Sequence, residues 1–369
     1  MEDRKIRVAI THGDTNGIGY ELIFKTFAEP AMLELCTPIV YGSPKVAAYH
    51  RKAIETETNF TIINHASEAH EGRLNVLATF EEEVKVELGQ PTQEAGKAAF
   101  TALEYAMKDY QKGLFDILVT LPVNIDTMRS EQFNFNSQTE YIESAVGEGK
   151  EALAMLVNPV LRLALATTRV PLTEVSKSLS TESIASKTTQ LFNTLKRDFR
   201  ISSPRVAVLA LNPDNGEGKF LGAEEKEIIM PAIAELRERH IYAYGPYTAD
   251  TFFSDGIYDK FDGVLAMYHE QGVTPFKLLD NENGVSYTAG LPIVRTSTTE
   301  TPCYNIAGKG EADENVLRQA IYLGIDAFRN RKNYDEPMGN PLKKLYHERR
   351  DDTERVRFSI PKKKEEASE

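Results

Sequence analysis

The chain has 369 residues, of which 41% are hydrophobic and 27% charged, with a formal net charge of −12. That length exceeds what one hydrophobic core usually supports, so two domains are expected. The acidic balance excludes nucleic acid and anionic membranes as partners, because both are gripped by clustered Lys and Arg.

Any anionic substrate must therefore be drawn in by local cations rather than by the overall field. Cys36 and Cys303 are too few and too far apart for a disulfide scaffold or a thiolate metal cluster, and they fit a reducing cytoplasm. The charged start, Met1 to Ile6, lacks the apolar stretch of a secretory signal. No run of about 18 apolar residues is available to span a membrane.

In chain order, Ile6 to Ile10 is a short apolar strand that runs into the turn Thr11-His-Gly-Asp-Thr-Asn-Gly-Ile-Gly19, and Tyr20 to Phe27 reads as a helix. A strand at Pro38 to Tyr41 leads through Gly42-Ser-Pro to a helix containing Val46 to Tyr49. Ala95 to Tyr110 has apolar residues at helical spacing, and Ile117 to Thr120 is a buried strand. The alternation continues with a strand at Leu161 to Thr167, a helix near Ser183 to Asp198 and a strand at Val206 to Leu211. A helix at Glu224 to Arg239, a strand at Gly263 to Met267 and a closing helix near Glu314 to Arg331 complete it. Such alternation predicts an α/β fold with a mostly parallel sheet. From about Asn340 the chain becomes a charged tail of little apolar periodicity, expected to be solvated and largely disordered.

The spacing Gly13, Gly17, Gly19 between strand and helix could cradle a phosphate on helix N-terminal amides. It could equally well only tighten the turn, and the sequence leaves both open. Short-chain dehydrogenases share this spacing but need a downstream Tyr-x-x-x-Lys pair. The only such pair here, Tyr41 with Lys45, is far too early in the chain.

A series of motifs then carries a resemblance. After Gly13-Asp-Thr-Asn-Gly-Ile-Gly-Tyr-Glu21 come Pro122-Val-Asn124, Gln138-Thr-Glu140 and Ala166-Thr-Thr-Arg-Val-Pro-Leu172. Asn212-Pro-Asp-Asn-Gly-Glu-Gly218 follows, with Glu224, Glu225, Pro231-Ala232 and Ala249-Asp250-Thr. The last are Ala266-Met-Tyr-His-Glu-Gln-Gly272, Gly290-Leu-Pro-Ile-Val-Arg-Thr-Ser297 and Ile306-Ala-Gly-Lys-Gly-Glu-Ala-Asp313. Taken together and in this order, they resemble the family of NAD-dependent 4-hydroxythreonine-4-phosphate dehydrogenases.

The resemblance implies a two-domain α/β/α sandwich of the isocitrate and isopropylmalate dehydrogenase type. An outer, NAD-side domain would take residues 1–122 and 292–340, and a central domain for substrate and dimer contact would take 123–291. It further implies a homodimer, a small phosphorylated substrate, NAD as cofactor, and Asn305, Ala307 and Gly308 in a loop beside the adenine. The substrate would meet Gln138, Thr139, Lys277, Ser286 and Arg295, with Asp250 in the same cleft. NAD takes hydride from the substrate, and the resulting 3-oxo acid loses CO₂.

The family reaction uses a divalent metal (zinc, magnesium or cobalt) held by three histidines, at positions that here are Arg169, Asp214 and His269. An arginine has no usable lone pair. Asp214 and His269 remain ligand types, with Asp250 a third candidate beside them, but the Arg169 cation would repel a dication. The expectation is that the Arg169 guanidinium replaces the metal's charge, pairs with Asp214, and supports a developing oxyanion. Further departures are Gln138, Ser286 and the stretch Thr299-Glu-Thr-Pro302, where Glu300 brings a negative charge towards the cofactor's place. They leave room for a dehydrogenase of another phosphorylated hydroxy acid, such as a four-carbon sugar-acid phosphate, and for a non-catalytic metabolite-binding protein.

Overall fold

The computed structural model describes residues 4–80, 84–217 and 221–339; the expectation of a disordered tail over 341–369 lies outside the described residues. The strands in chain order are β1 (Arg7–Thr11), β2 (Thr37–Gly42), β3 (Thr61–Ile63), β4 (Asn75–Ala78), β5 (Ile117–Thr120) and β6 (Leu153–Val157). They continue with β7 (Arg162–Leu165), β8 (Val206–Leu209), β9 (Ala243–Tyr247), β10 (Gly263–Ala266), β11 (Val285–Ala289) and β12 (Val294–Thr298). The first six helices are α1 (Gly19–Phe27), α2 (Pro30–Leu35), α3 (Pro44–Ala53), α4 (Gln93–Gln111), α5 (Ile125–Met128) and α6 (Gln138–Val146). The remainder are α7 (Val175–Ser178), α8 (Thr181–Arg197), α9 (Met230–Glu238), α10 (Ala249–Ser254), α11 (His269–Leu279) and α12 (Asn315–Gly339).

All twelve strands join one sheet in the order β3-β4-β2-β1-β5-β12-β11-β6-β7-β10-β8-β9. The strands β2, β5, β8, β10 and β12 are buried throughout, the last although its sequence, Val-Arg-Thr-Ser-Thr, is mostly polar. Continuous burial is the mark of strands covered by helices on both faces. Val8 and Ile10 of β1 pack in the cluster that includes α1 and α12, whereas Ala9 packs in a separate cluster with Leu103 and Met107 of α4. Farther along the sheet, Val206 and Val208 share the first cluster with α8 and α9. Ala207 and Leu209 pack in a third, with Phe252 of α10 and Phe276 of α11. Alternation along each strand thus builds a layer of helices on either side.

Residues 4–122 and 292–339 contribute the six strands from β3 to β12, and residues 123–291 contribute the six from β11 to β9. The sheet is continuous across this junction, and the largest core cluster runs through both halves. Most pairings are parallel, as expected. The exceptions are the pairings of β12 with β11, β11 with β6, and β6 with β7, which are antiparallel. Three reversals in succession make the block β7-β10-β8-β9 run opposite to the block β3-β4-β2-β1-β5-β12.

Candidate functional site

The glycine turn is packed shut rather than open. Residues 11–24 are buried throughout. A Cβ on Gly13 would lie 2.5 Å from the Pro122 carbonyl oxygen, one on Gly17 2.7 Å from that of Pro302, and one on Gly19 2.0 Å from that of His12. These glycines let three backbone segments touch, which answers the open question in favour of turn packing.

Asp14 lies at the centre of that contact. Its carboxylate accepts from the Tyr304 hydroxyl at 2.7 Å and from the Asn16 amide at 2.8 Å, and burial holds its pKa above the ordinary carboxylate range. Asn16 in turn donates to Gln90 O and Thr92 Oγ1 and accepts from the Glu87 amide. Beneath it, His12, Tyr20 and His50 form a buried stack with ring centroids 5.2 and 5.0 Å apart. Burial pushes the two histidines down, to about 3 for His12 and about 4 for His50, so both are neutral.

Arg295 leaves β12 into the protein interior and is 5% exposed. Its Nε and Nη2 donate to Thr120 Oγ1 at 3.1 and 2.6 Å, and Nη1 donates to Thr288 Oγ1 at 3.0 Å and Thr139 Oγ1 at 3.2 Å. Each of these partners is a neutral hydroxyl, and no carboxylate pairs with it among the described residues. Burial pulls its pKa down to about 10, which leaves it charged at neutral pH. A buried cation held in place by hydroxyls and lacking a counter-charge is a site prepared for an anion.

Two expected neighbours do gather here. Thr139 touches Arg295 directly, and Gln138, 8% exposed, donates to the Leu121 carbonyl on β5's exit. Both begin α6, whose N-cap is Ser137, accepting from the Glu140 amide. Ser286 is half-buried on β11, opposite Ser297 and Leu156. Lys277 is exposed on the last turn of α11 and has no ion pair among the described residues.

Beside α6 lies a polar groove of about 350 Å³ lined by Asn124, Arg129, Asn136, Arg169 and Pro302, among others. Asn124 belonged to a recognisable motif, but nothing in the spacing of the sequence marked Arg129 or Asn136.

Arg169, His269 and Asp214 follow β7, β10 and β8, which are adjacent parallel strands in that order. The ends of these strands are laced together. Thr167 Oγ1 donates to Met267 O at 2.7 Å, Gln271 Nε2 to Ala210 O at 2.6 Å, and Ser176 Oγ to Glu224 Oε1 at 2.6 Å. The Asp214 turn is built on Glu225, whose Oε1 accepts from the amides of Leu211 and Asn212. Asp214, Asn215 and Gly216 are all left-handed, with φ of 50°, 55° and 70°.

The expected Arg169–Asp214 ion pair is not formed. Both side chains are exposed, and β10 separates their strands, so the two loops start about 10 Å apart. His269 instead contacts Glu270 at 3.1 Å. No group of three His, Cys, Asp or Glu side chains able to hold a metal occurs among the described residues. Asp214 and His269 with Arg169 therefore do not fit a divalent ion within one chain. Asp250, expected beside them, is exposed in the first turn of α10, where Thr251 and Thr248 hydrogen bonds hold its carboxyl below the ordinary range.

The 305–310 loop is tied to α1. Glu21 Oε1 accepts from the Ala312 amide at 2.7 Å, and Lys25 donates to the Gly310 and Ala312 carbonyls. Within it Asn305 is exposed, Ala307 buried, and Gly308 left-handed against Leu88. Glu300 is half-buried nearby, 3.9 Å from the Cys303 sulfur.

The sequence model of the family described as "Pyridoxal phosphate biosynthetic protein PdxA" matches residues 34–324. A 4-hydroxythreonine-4-phosphate dehydrogenase from Bacteroides thetaiotaomicron is 53% identical over 97% of this chain and 98% of its own length. The crystal structure of one from Burkholderia phymatum is 31% identical with a TM-score of 0.72, covering 88% of this chain and 99% of that one. One from Klebsiella pneumoniae is 28% identical with a TM-score of 0.76, over 89% and 99%. With a family match over most of its length and a relative at more than half identity, the chain belongs to the PdxA family.

Proposed function

We infer that this chain is an oxidoreductase acting on a CH–OH group with a nicotinamide cofactor, and that it performs the reaction named by its relatives. The substrate is 4-phosphohydroxy-L-threonine. The cofactor is NAD, which takes hydride from C3, and the 3-oxo acid then loses CO₂ to give 3-amino-2-oxopropyl phosphate, on the way to pyridoxal phosphate. The observation that carries this reading is Arg295, a buried guanidinium surrounded only by hydroxyls of Thr120, Thr139 and Thr288. It suits a phosphate, and its burial would be costly without one.

In this reading Arg295, Thr139, Gln138, Ser286 and Lys277 receive the phosphorylated substrate. Asn305, Ala307 and Gly308 form the floor for the cofactor's adenine side. His269 takes the proton of the C3 hydroxyl as hydride leaves, and Asp250 and Asp214 orient it. Arg169 supports the alkoxide and then the enolate by charge-assisted hydrogen bonds. The enzyme acts as a homodimer in the cytoplasm, with the two halves of the sheet serving as outer and central domains. Among the described residues, no helix is long and apolar enough to cross a membrane.

The test is turnover of phosphohydroxythreonine with NAD⁺, followed by NADH absorbance, with and without a chelator. Turnover that survives chelation fits the Arg169 reading. Turnover lost to the chelator and restored by zinc or magnesium assigns the polarising charge to a metal instead. No turnover at all removes the assignment.

A further inference from the structure

The groove beside α6 contains a second cation that the phosphate site does not use. Arg129 follows α5, and its only carboxylate contact among the described residues is with Asp126 at 3.8 Å, whose side chain is 92% exposed. Such a pair contributes little. Its better contact is Nη2 to Asn136 Oδ1 at 3.3 Å, and the Asn136 amide is itself held by Glu140 Oε2 at 2.8 Å. Asn136 and Glu140 flank Thr139, which touches Arg295. Arg129 is therefore aimed by the same helix start that completes the buried anion site.

Across the same groove stands Arg169, which has no ion-pair partner among the described residues. Two guanidiniums and the Asn124 and Asn136 amides face a space of about 350 Å³, and the one carboxylate in its lining, Asp126, is 92% exposed to solvent and offsets only one of the two cations. Such a local concentration of donors suits a planar carboxylate, which a guanidinium fork can grip with two hydrogen bonds.

We propose that Arg129 is a specificity residue that binds the carboxylate of the same molecule whose phosphate sits on Arg295. The proposal rests on the dehydrogenase reading above. It makes the site select substrates with an anion at each end, and Arg129 would separate an amino-acid phosphate from an amino-alcohol phosphate.

The probes are O-phospho-L-threonine and 1-amino-2-propyl phosphate, which carries hydrogen in place of the carboxylate. Both are titrated calorimetrically into the full-length wild type and into Arg129→Gln and Arg129→Lys. The expected result is a wild-type preference for phosphothreonine of about 10- to 100-fold, as for a charge-assisted contact. That preference should fall towards unity in Arg129→Gln and to an intermediate value in Arg129→Lys, with KM for NAD⁺ unchanged. If wild type turns over phosphohydroxythreonine but the preference is the same in Arg129→Gln, the proposal is overturned and the dehydrogenase reading stands. A raised KM for NAD⁺ with an unchanged preference overturns it as well, and gives the groove to the cofactor. If the preference collapses in a protein that turns nothing over, Arg129 is a carboxylate site and the dehydrogenase reading is what fails.

Discussion

Arg295 sets function against stability at a single residue. A buried charge without a counter-ion costs free energy, and replacement by an apolar side chain of similar length is often neutral or stabilising. Arg295→Met should therefore melt no lower than wild type when no ligand is present, while kcat/KM for the phosphorylated substrate falls by at least about 100-fold. Inorganic phosphate should raise the wild-type melting temperature and leave the variant's unchanged. A variant that melts lower and still responds to phosphate would show that Arg295 serves packing rather than an anion. The buried histidines make a prediction of their own. His12 and His50 titrate near 3 and 4 in the folded chain and near the ordinary 6.5 when unfolded. The unfolded state then binds more protons between those limits, so stability is full above about pH 6.5 and is lost as pH falls towards 4. The expected slope is about 1.4 kcal/mol per pH unit for each histidine across that window. Urea midpoints measured from pH 7 to 4.5 should show it, and His50→Gln should flatten the curve. A profile that stays level down to pH 5 in wild type would contradict the neutral stack.

At the scale of elements, the Asp214 turn is the most constrained piece of backbone near the proposed chemistry. Asp214 and Asn215 are non-glycine residues in left-handed conformation, each costing about 1 kcal/mol or more. They are held by the buried Glu225 carboxylate and by Gly216 and Gly222, where a Cβ would meet the Glu225 and Glu224 oxygens at 2.5 and 2.3 Å. Glu225→Ala removes the acceptor for the Leu211 and Asn212 amides and should cost about 2–4 kcal/mol in urea unfolding. If the turn aims Asp214, kcat should drop further than stability alone explains, with KM for NAD⁺ preserved. Loss of stability with unchanged kcat would make the turn a purely structural device. The sequence showed this region only in part. The buried parallel strands β1, β5, β8 and β10 were legible because burial on both faces leaves an unbroken apolar run. β6 and β11 were not, and their pairing with each other joins segments more than 100 residues apart along the chain. The helix expected at Glu224 to Arg239 begins instead as a π-helical turn over Glu225–Ile229, whose first residue, Glu225, accepts from the Leu211 and Asn212 amides of the preceding loop. The motif series did place Thr139 and Arg295 in one site. It could not show that Arg169 and Asp214 stay apart, because that depends on β10 lying between their strands.

For the whole molecule, the opposed strand blocks bear on assembly. β12, which carries Arg295, belongs to the block that runs opposite to β10 and β8, which lead to His269 and Asp214. In one chain the C-terminal ends of the two blocks leave the sheet in opposite directions; Arg169, after β7, reaches the groove beside α6, whereas neither His269 nor Asp214 lines it. A second chain related by a two-fold axis can bring its own strand ends to the first chain's anion site, and the same contact then completes both sites. Light scattering should accordingly give about twice the 41.3 kDa chain mass at micromolar concentration. Mixing tests the sharing of residues directly. Arg295→Met and His269→Ala chains, each inactive as a homodimer, would be unfolded together and refolded at equal amounts. If each site takes Arg295 from one chain and His269 from the other, every hybrid has one intact site, and statistical pairing should restore about a quarter of wild-type activity. A dimer whose mixed chains remain inactive would mean that each site is built within a single subunit, with the two groups brought together by closure of the two halves of the sheet.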